Sequence, residues 1–552
     1  MPENDTRDPR PYSPRRRSLT QELAELDTRL LSLLGGRTRL LAKITSARKA
    51  KGLSAADPAV EKKLWPQWAE TGKDEGLEPK TLHNVFTVLN SLAYERGLGH
   101  TGSSRTDPFI LAPGPKPVDL DVEGPASLFA TKLHLAMAAA TGQPLHLFNI
   151  VQNDPLVELI KALNQAGGGL SWAESAVTAK QGESAQTTAK LIFAGANPEN
   201  LSLLAALALP QVGVTKFSGS SALKLLDLGP AEHLLPRLGG RLHRLDPHAP
   251  GLPARLESGG RMAAHLSDVG EAPDHLLLAL LGMAWSFPDG LGIDFAPSRL
   301  TPRLMLGLET VAQVLGQWGV AAKIDGASAA VKPGKPLAPE KARLHLDPVL
   351  SAYLIALPLI AVGQVRLKGE WPEWPTATAL LGELASVGLT IRKTRGGLES
   401  EAAARPGKAV IGFGRNPDLL PLALTLGLAA AQGAELAAPS DPGRTAQAAE
   451  LLEHCRADYE IEDQRIVIRP SKISWETPWS ATDPFQCLGC SLLSFLRPGI
   501  GLLNPGEITG VWPGWWTVFN RACGARPAPK IENEDHDDAS RKKIRRRRII
   551  AG

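Results

Sequence analysis

Residues 422–439 read LALTLGLAAAQGAELAAP. From Leu422 to Ala431 the run is Leu, Ala and Gly, with only Thr425 to interrupt it and no charge. A helix that is apolar on every side belongs inside a protein, among neighbouring elements, not on its surface. Gly433 supplies a helix-ending turn, and the short apolar segment after it reads as a strand. The stretch is therefore one buried helix feeding one strand through a glycine.

The same phrase recurs along the chain. It is legible at 133–150 (LHLAMAAATGQPLHLFNI), 201–219 (LSLLAALALPQVGVTKFSG) and 276–295 (LLLALLGMAWSFPDGLGIDF). Two more copies lie at 354–369 (LIALPLIAVGQVRLKG) and 490–505 (CSLLSFLRPGIGLLNP). The turns fall at Gly142, Gly213, Gly290, Gly363, Gly433 and Gly499, about 70 residues apart. A second helix and strand sit between most of them, as at 306–324 and 377–391. Six similar α/β units exceed the period of common solenoids and predict a globule assembled from repeats.

Composition supports an ordinary globular chain: 552 residues, 43% hydrophobic and 21% charged, hence several domains. No apolar run reaches the ~18 residues of a membrane span, and the basic N-terminus lacks the apolar core of a secretory signal. Four cysteines are too few for a disulfide framework. A cytoplasmic protein without a membrane partner is expected. The net charge of +4 is concentrated in a tail holding Arg541, Lys542, Lys543 and Arg545 to Arg548, beside an acidic run. No aromatic residue interleaves those cations to stack bases, so nucleic-acid contact by the tail is not expected.

Cys487 and Cys490 have the spacing of half a zinc site, with Cys455 beside His454 and Cys523 elsewhere. There is no second CxxC, and Cys490 lies within the apolar run CLGCSLLSFL. The thiols are read as small apolar residues on a buried helix, and no metal or cofactor is expected.

The first hundred residues are different in kind. Leu19, Leu23, Leu26, Leu30, Leu33 and Leu34 recur at three-and-four spacing, which predicts one long amphipathic helix capped by Ser18 and ended near Gly52. A second helix is expected after Asp57 and a third over 80–97, followed by a Gly/Ser/Pro-rich linker. The expected organisation is 1–17 disordered, 18–99 helical and 100–115 linker. One body domain spans 116–126 with 345–525, a second spans 127–344, and 526–552 forms a disordered tail.

The helical run LAELDTRLLSLLGGRTRLLAKITSARK at 23–49 resembles the all-helical chorismate mutase family, which forms intertwined dimers. The resemblance places Arg37 on the family's central arginine and Arg48 on the lysine that holds the ether oxygen. It places Asp57 and Glu61, one helical turn apart, on the acidic pair that binds the substrate hydroxyl. It implies chorismate as substrate and a homodimer through these helices. The family's first arginine is Thr20 here. The late polar pair falls near Ala93 and Gly97.

The six repeats resemble the 5-enolpyruvylshikimate-3-phosphate (EPSP) synthase family, which packs three units into each of two domains around a cleft. The segment NPDLLPLALTLGLAAAQG places Asp418 on the family's catalytic aspartate, and SDPGRTAQAAELLEHC places Arg444 on a substrate-binding arginine. Lys132 falls near another binding arginine. The implied ligands are shikimate 3-phosphate and phosphoenolpyruvate, which need many cations to hold them. Ser127 stands near a lysine position, Asp483-Pro484-Phe485 where the family has Asp-His-Arg, and Gly510 at the terminal lysine. The expected fold is thus a two-domain α/β body of six units around a cleft, plus an N-terminal all-α domain. The expected function is aromatic amino-acid biosynthesis with most substrate-binding cations lost, or a catalytically inactive sensor or scaffold in the same pathway.

Overall fold

The structure is a computed structural model of the 552-residue chain. It describes residues 19–50, 58–77, 82, 85, 86, 89, 108–173, 176–246, 249–260 and 262–524. The expected disordered ends, 1–17 and 526–552, and the caps Ser18 and Gly52 lie outside these residues. Two compact units emerge: the N-terminal helices, grouped with 218–227 and 244–254, and a body containing the rest.

The N-terminal unit opens with a helix of 32 residues, Leu19–Ala50, followed by Pro58–Asp74. Leu82, Val85, Phe86 and Leu89 are helical and belong to the expected third element. Phe86 is buried and touches Trp65 and Trp68, with ring centroids 5.6 and 5.2 Å away. The apolar stripe of the first helix stays largely open: Leu23, Leu26, Leu30, Leu33 and Leu40 are each more than half exposed. Among the described residues nothing covers that stripe.

The body is a mixed α/β structure with six sheets among the described residues. Four have four strands, one has three, and one is a two-stranded pair. Where the unit is complete, a strand leads through a buried helix into a parallel neighbour, and a second helix then leads into an antiparallel hairpin. Val118–Glu123 also lies parallel to Gly363–Lys368, although the whole first lobe separates them in the chain, with Gly397–Ala402 and Thr390–Thr394 beyond. Ala409–Ile411 with Ala434–Ala437, and His265–Leu266 with Leu291–Asp294, repeat the parallel pair.

Six apolar helices form two triads. Leu128–Thr141, Pro198–Ala208 and Asp274–Met283 pack together in the first lobe. Pro348–Ile355 continuing into Leu357–Ala361, Leu420–Ala429 and Pro484–Leu496 pack in the second. Their small residues allow close approach: a Cβ on Gly489 would lie 2.7 Å from the Pro421 side chain. Cys487 and Cys490 are fully buried on the last of these helices. Burial pushes the Cys487 thiol up to about 12 and the Cys490 thiol well above its ordinary value, so neither is a thiolate near neutral pH.

All six turn glycines read from the sequence have positive φ, from +66° at Gly142 to +136° at Gly213. One segment differs from expectation. Phe109–Leu111, inside the expected linker 100–115, is a strand paired antiparallel with Ile500–Leu502. Its sixth-unit partner has no hairpin of its own to pair with, and the short apolar run after Pro108 fills the vacancy.

Gly363 tests the repeat directly. Its φ is +121°, and an added Cβ would fall 2.1 Å from the Val118 carbonyl oxygen of the parallel neighbour. Gly363→Ala is expected to destabilise the body by about 1–3 kcal/mol, seen as a lower thermal midpoint by circular dichroism.

Candidate functional site

A buried helix leaves its first backbone N–H groups without helical partners, and they must be met locally. In the body all six buried helices bring this end to one cleft of about 510 Å³. Ser127, Asn197, Asp274, Asp347, Asp418 and Asp483 mark the six helix starts on its wall. Four of the caps are side chains. The Ser127 hydroxyl accepts from the N–H of Ala130, and Asn197 Oδ1 from Asn200. Asp347 Oδ1 accepts from Val349 and Leu350, each at 3.0 Å. Asp483 Oδ1 accepts from Phe485 and Gln486 at 2.9 and 3.0 Å. Proline follows Asn197, Asp347 and Asp483 at the first helical position, where its missing N–H is harmless.

Of the residues picked from the sequence, Asp418 and Arg444 line this cleft, while Lys132 does not line it but is buried against the cleft-lining Glu199. Lys132 is fully buried, its Nζ 2.8 Å from Glu199 Oε2 and 3.2 Å from Asn197 Oδ1. Arg444 Nη1 lies 2.6 Å from Asp483 Oδ2 and donates to Gln447. Asp418 is buried, and its Oδ2 lies 3.1 Å from the Nε of Arg303. Arg303 lies in the first turn of the helix Pro302–Gln317, in the other lobe from Asp418. Beside the cleft, Arg299 similarly meets Asp274 at 3.1 Å. Among the described residues each arginine on the cleft wall thus has a carboxylate partner, with Arg303 still half exposed.

The carboxylates do not all titrate alike. Lys132 draws the Glu199 carboxyl below its ordinary range. Burial pushes Asp418 up, outweighing the opposite pull of Arg303 and Arg444. Asp347, half-buried and without a basic partner in its own pairings, is pushed up to about 6, mainly by desolvation. His275 bonds Ser202 Oγ through Nδ1 at 2.8 Å, and burial lowers its pKa. Asn416 uses its Oδ1 to accept from the Asp418 N–H, while its buried Nδ2 has no partner among the described residues. Chemically, the cleft offers two carboxyls that hold protons more readily than usual, set among closed ion pairs.

Arg303, Glu199 and Asp347 were missed in the sequence. The signal existed: Thr301-Pro302-Arg303 and Asp347-Pro348 both carry the cap-then-proline pattern that opens a helix. That pattern marks a helix start, but it does not say that different starts meet.

In the N-terminal unit, the Arg37 guanidinium lies over the rings of Trp68 and Phe86, 5.1 and 5.4 Å from their centroids. Two aromatic faces thus hold the cation in a partly buried site. Arg48 and Glu61 lie on the first two helices, but their side chains are outside the described residues, as is all of Asp57. Among the described residues no group of three or more His, Cys, Asp or Glu side chains could hold a metal. No described helix is long and apolar enough to cross a membrane.

Residues 19–96 match the chorismate mutase type II family. No curated protein matches the sequence. Among solved structures the chain is similar to EPSP synthase from Acinetobacter baumannii: TM-score 0.63, 15% identity, covering 76% of this chain and 98% of that one. The enolpyruvyl transferase NikO from Streptomyces tendae aligns with TM-score 0.57 and 14% identity, over 74% of this chain and 96% of that one. The N-terminal helices are thus of chorismate mutase type, and the body has the two-domain fold of EPSP synthases and enolpyruvyl transferases at low sequence identity.

Asp347 gives the site a pH signature. Its folded carboxyl keeps a proton up to about 6, against an ordinary value of 3.8, so the folded state binds the extra proton between the two. Its burial costs stability increasingly as pH rises through that window, and the full cost persists above it. Asp347→Asn retains the cap. It is expected to unfold at a higher temperature than the unaltered chain at about pH 7.5, with the gain gone by about pH 4. A difference that does not vary with pH would contradict the raised pKa.

Proposed function

We propose that this is a cytoplasmic protein of the shikimate pathway to aromatic amino acids. In this reading a chorismate mutase-type unit is fused to a divergent enolpyruvyl transferase-type body. The N-terminal unit converts chorismate to prephenate, a rearrangement that needs a folded substrate and stabilised charge but no covalent step. Arg37 and Arg48 supply the cations, and Asp57 and Glu61 bind the hydroxyl. The family match over 19–96 and the partly buried setting of Arg37 support this assignment. The exposed leucine stripe of the first helix supports a homodimer, with a second copy burying what one chain leaves open.

For the body, Asp418 is assigned the acid/base position, with Arg444 and Lys132 as binding residues. The ion pairs of the cleft carry the argument that its reaction is not the ordinary one. Phosphoenolpyruvate and shikimate 3-phosphate together bring about five negative charges, which need uncommitted cations in a cleft screened from water. Lys132, Arg303 and Arg444 are already engaged with Glu199, Asp418 and Asp483. The substrate-binding cations of the fold are thus largely lost or occupied, while a small-molecule cleft persists. The same pairs favour a second reading of the body, as a catalytically silent sensor or scaffold in the same pathway. No cofactor, nucleic acid or membrane enters either reading.

The purified chain is expected to consume chorismate, followed by loss of its absorbance, and Arg37→Ala to slow this at least ~100-fold. Unchanged turnover in that variant would remove Arg37 from the site. No phosphate release is expected from phosphoenolpyruvate with shikimate 3-phosphate. Light scattering is expected to give a dimer, and Leu30→Glu, at a position exposed in the single chain, a monomer.

A further inference from the structure

Lys132 is the most confined cation in the body. It sits on the buried helix Leu128–Thr141 with no exposed surface, and an ammonium so placed must be paired. Its partner Glu199 comes from a different unit, in the first turn of the helix Pro198–Ala208. That carboxylate is half-buried and lines the cleft. Two attractive features meet there: the ammonium and the positive end of an 11-residue helix. Such a combination is suited to an external anion, and in this chain the anion is internal.

We propose that Glu199 is a resident anion that occupies the Lys132 subsite and makes the cleft reject phosphorylated and carboxylated ligands. The proposal rests on the reading of the body as a retained small-molecule cleft, and adds the residue that sets its specificity. Asn197 fixes the start of the Glu199 helix and also contacts the same ammonium. A ligand carboxylate or phosphate would have to displace Glu199 and leave a carboxylate beside its own charge. A neutral ligand meets no such penalty.

Removing the resident charge should convert rejection into binding. Glu199→Gln keeps the side-chain length and leaves Lys132 without its counter-charge. By calorimetric titration of the full chain, Glu199→Gln is expected to bind phosphoenolpyruvate at least ~10-fold more tightly than the unaltered chain. Inorganic phosphate should show the same ordering. Adding Lys132→Met to Glu199→Gln should abolish the gain, which separates a subsite at this lysine from general loss of negative charge. Glu199→Ala provides a second opening of the subsite should the glutamine variant fold poorly, with folding checked by circular dichroism. Equally weak binding in all folded variants would overturn the role of Glu199 and leave the reading of the body intact. Tight binding of phosphoenolpyruvate by the unaltered chain would instead overturn both.

Discussion

Six buried helices begin at one place, and each must satisfy its free N–H groups there. Water serves a surface helix; these helices are surrounded by apolar neighbours and depend on caps. Bringing six positive helix ends together would be repulsive if they were left bare. Asp347 and Asp483 meet the problem with charged caps, Asn197 and Ser127 with neutral ones, and Asp274 by its place in a first turn. The cleft is the geometric consequence of packing the helices, and its carboxylates are in part the consequence of capping them.

That origin explains the electrostatic character of the site. A carboxylate recruited to a helix start is also within reach of any cation on the neighbouring helix. Asp483 serves both purposes: Oδ1 takes two backbone N–H groups while Oδ2 takes Arg444. Asp418 pairs with Arg303 across the lobes, and Glu199 with Lys132 across two units. The result is a polar cleft with its charges largely balanced internally. On the proposed reading such a site favours ligands that carry little net charge, because each opened ion pair leaves a charge in a medium that solvates it poorly.

The N-terminal unit follows another logic. Its first helix has a period of three and four in leucine, yet in a single chain that stripe faces outwards. Arg37, by contrast, is held by the chain's own Trp68 and Phe86. The cation is positioned by intrachain packing, while the apolar face remains available for association. Body and N-terminal unit thus place their charged groups by different means, one by helix capping and one by aromatic packing.

The repeat was legible because it is local. A run of small apolar residues, a glycine and a short strand are neighbours in sequence, and all six glycines have the backbone conformation such a turn needs. Asp418, Arg444 and Lys132 could be chosen by resemblance; the first two line one cleft, and Lys132 is paired with Glu199 on its wall. The strand at Phe109–Leu111 was not legible, since its partner is Ile500–Leu502 almost at the other end of the chain. Nor were Arg303, Glu199 and Asp347, whose roles depend on which helix starts come together. The sequence by itself determined the units, their turns and the composition of each helix, because these arise from interactions within a few residues. Only the tertiary structure decided that Lys132, Arg303 and Arg444 would each be met by a carboxylate, because charge pairing depends on distance in space, across units that the chain order keeps apart.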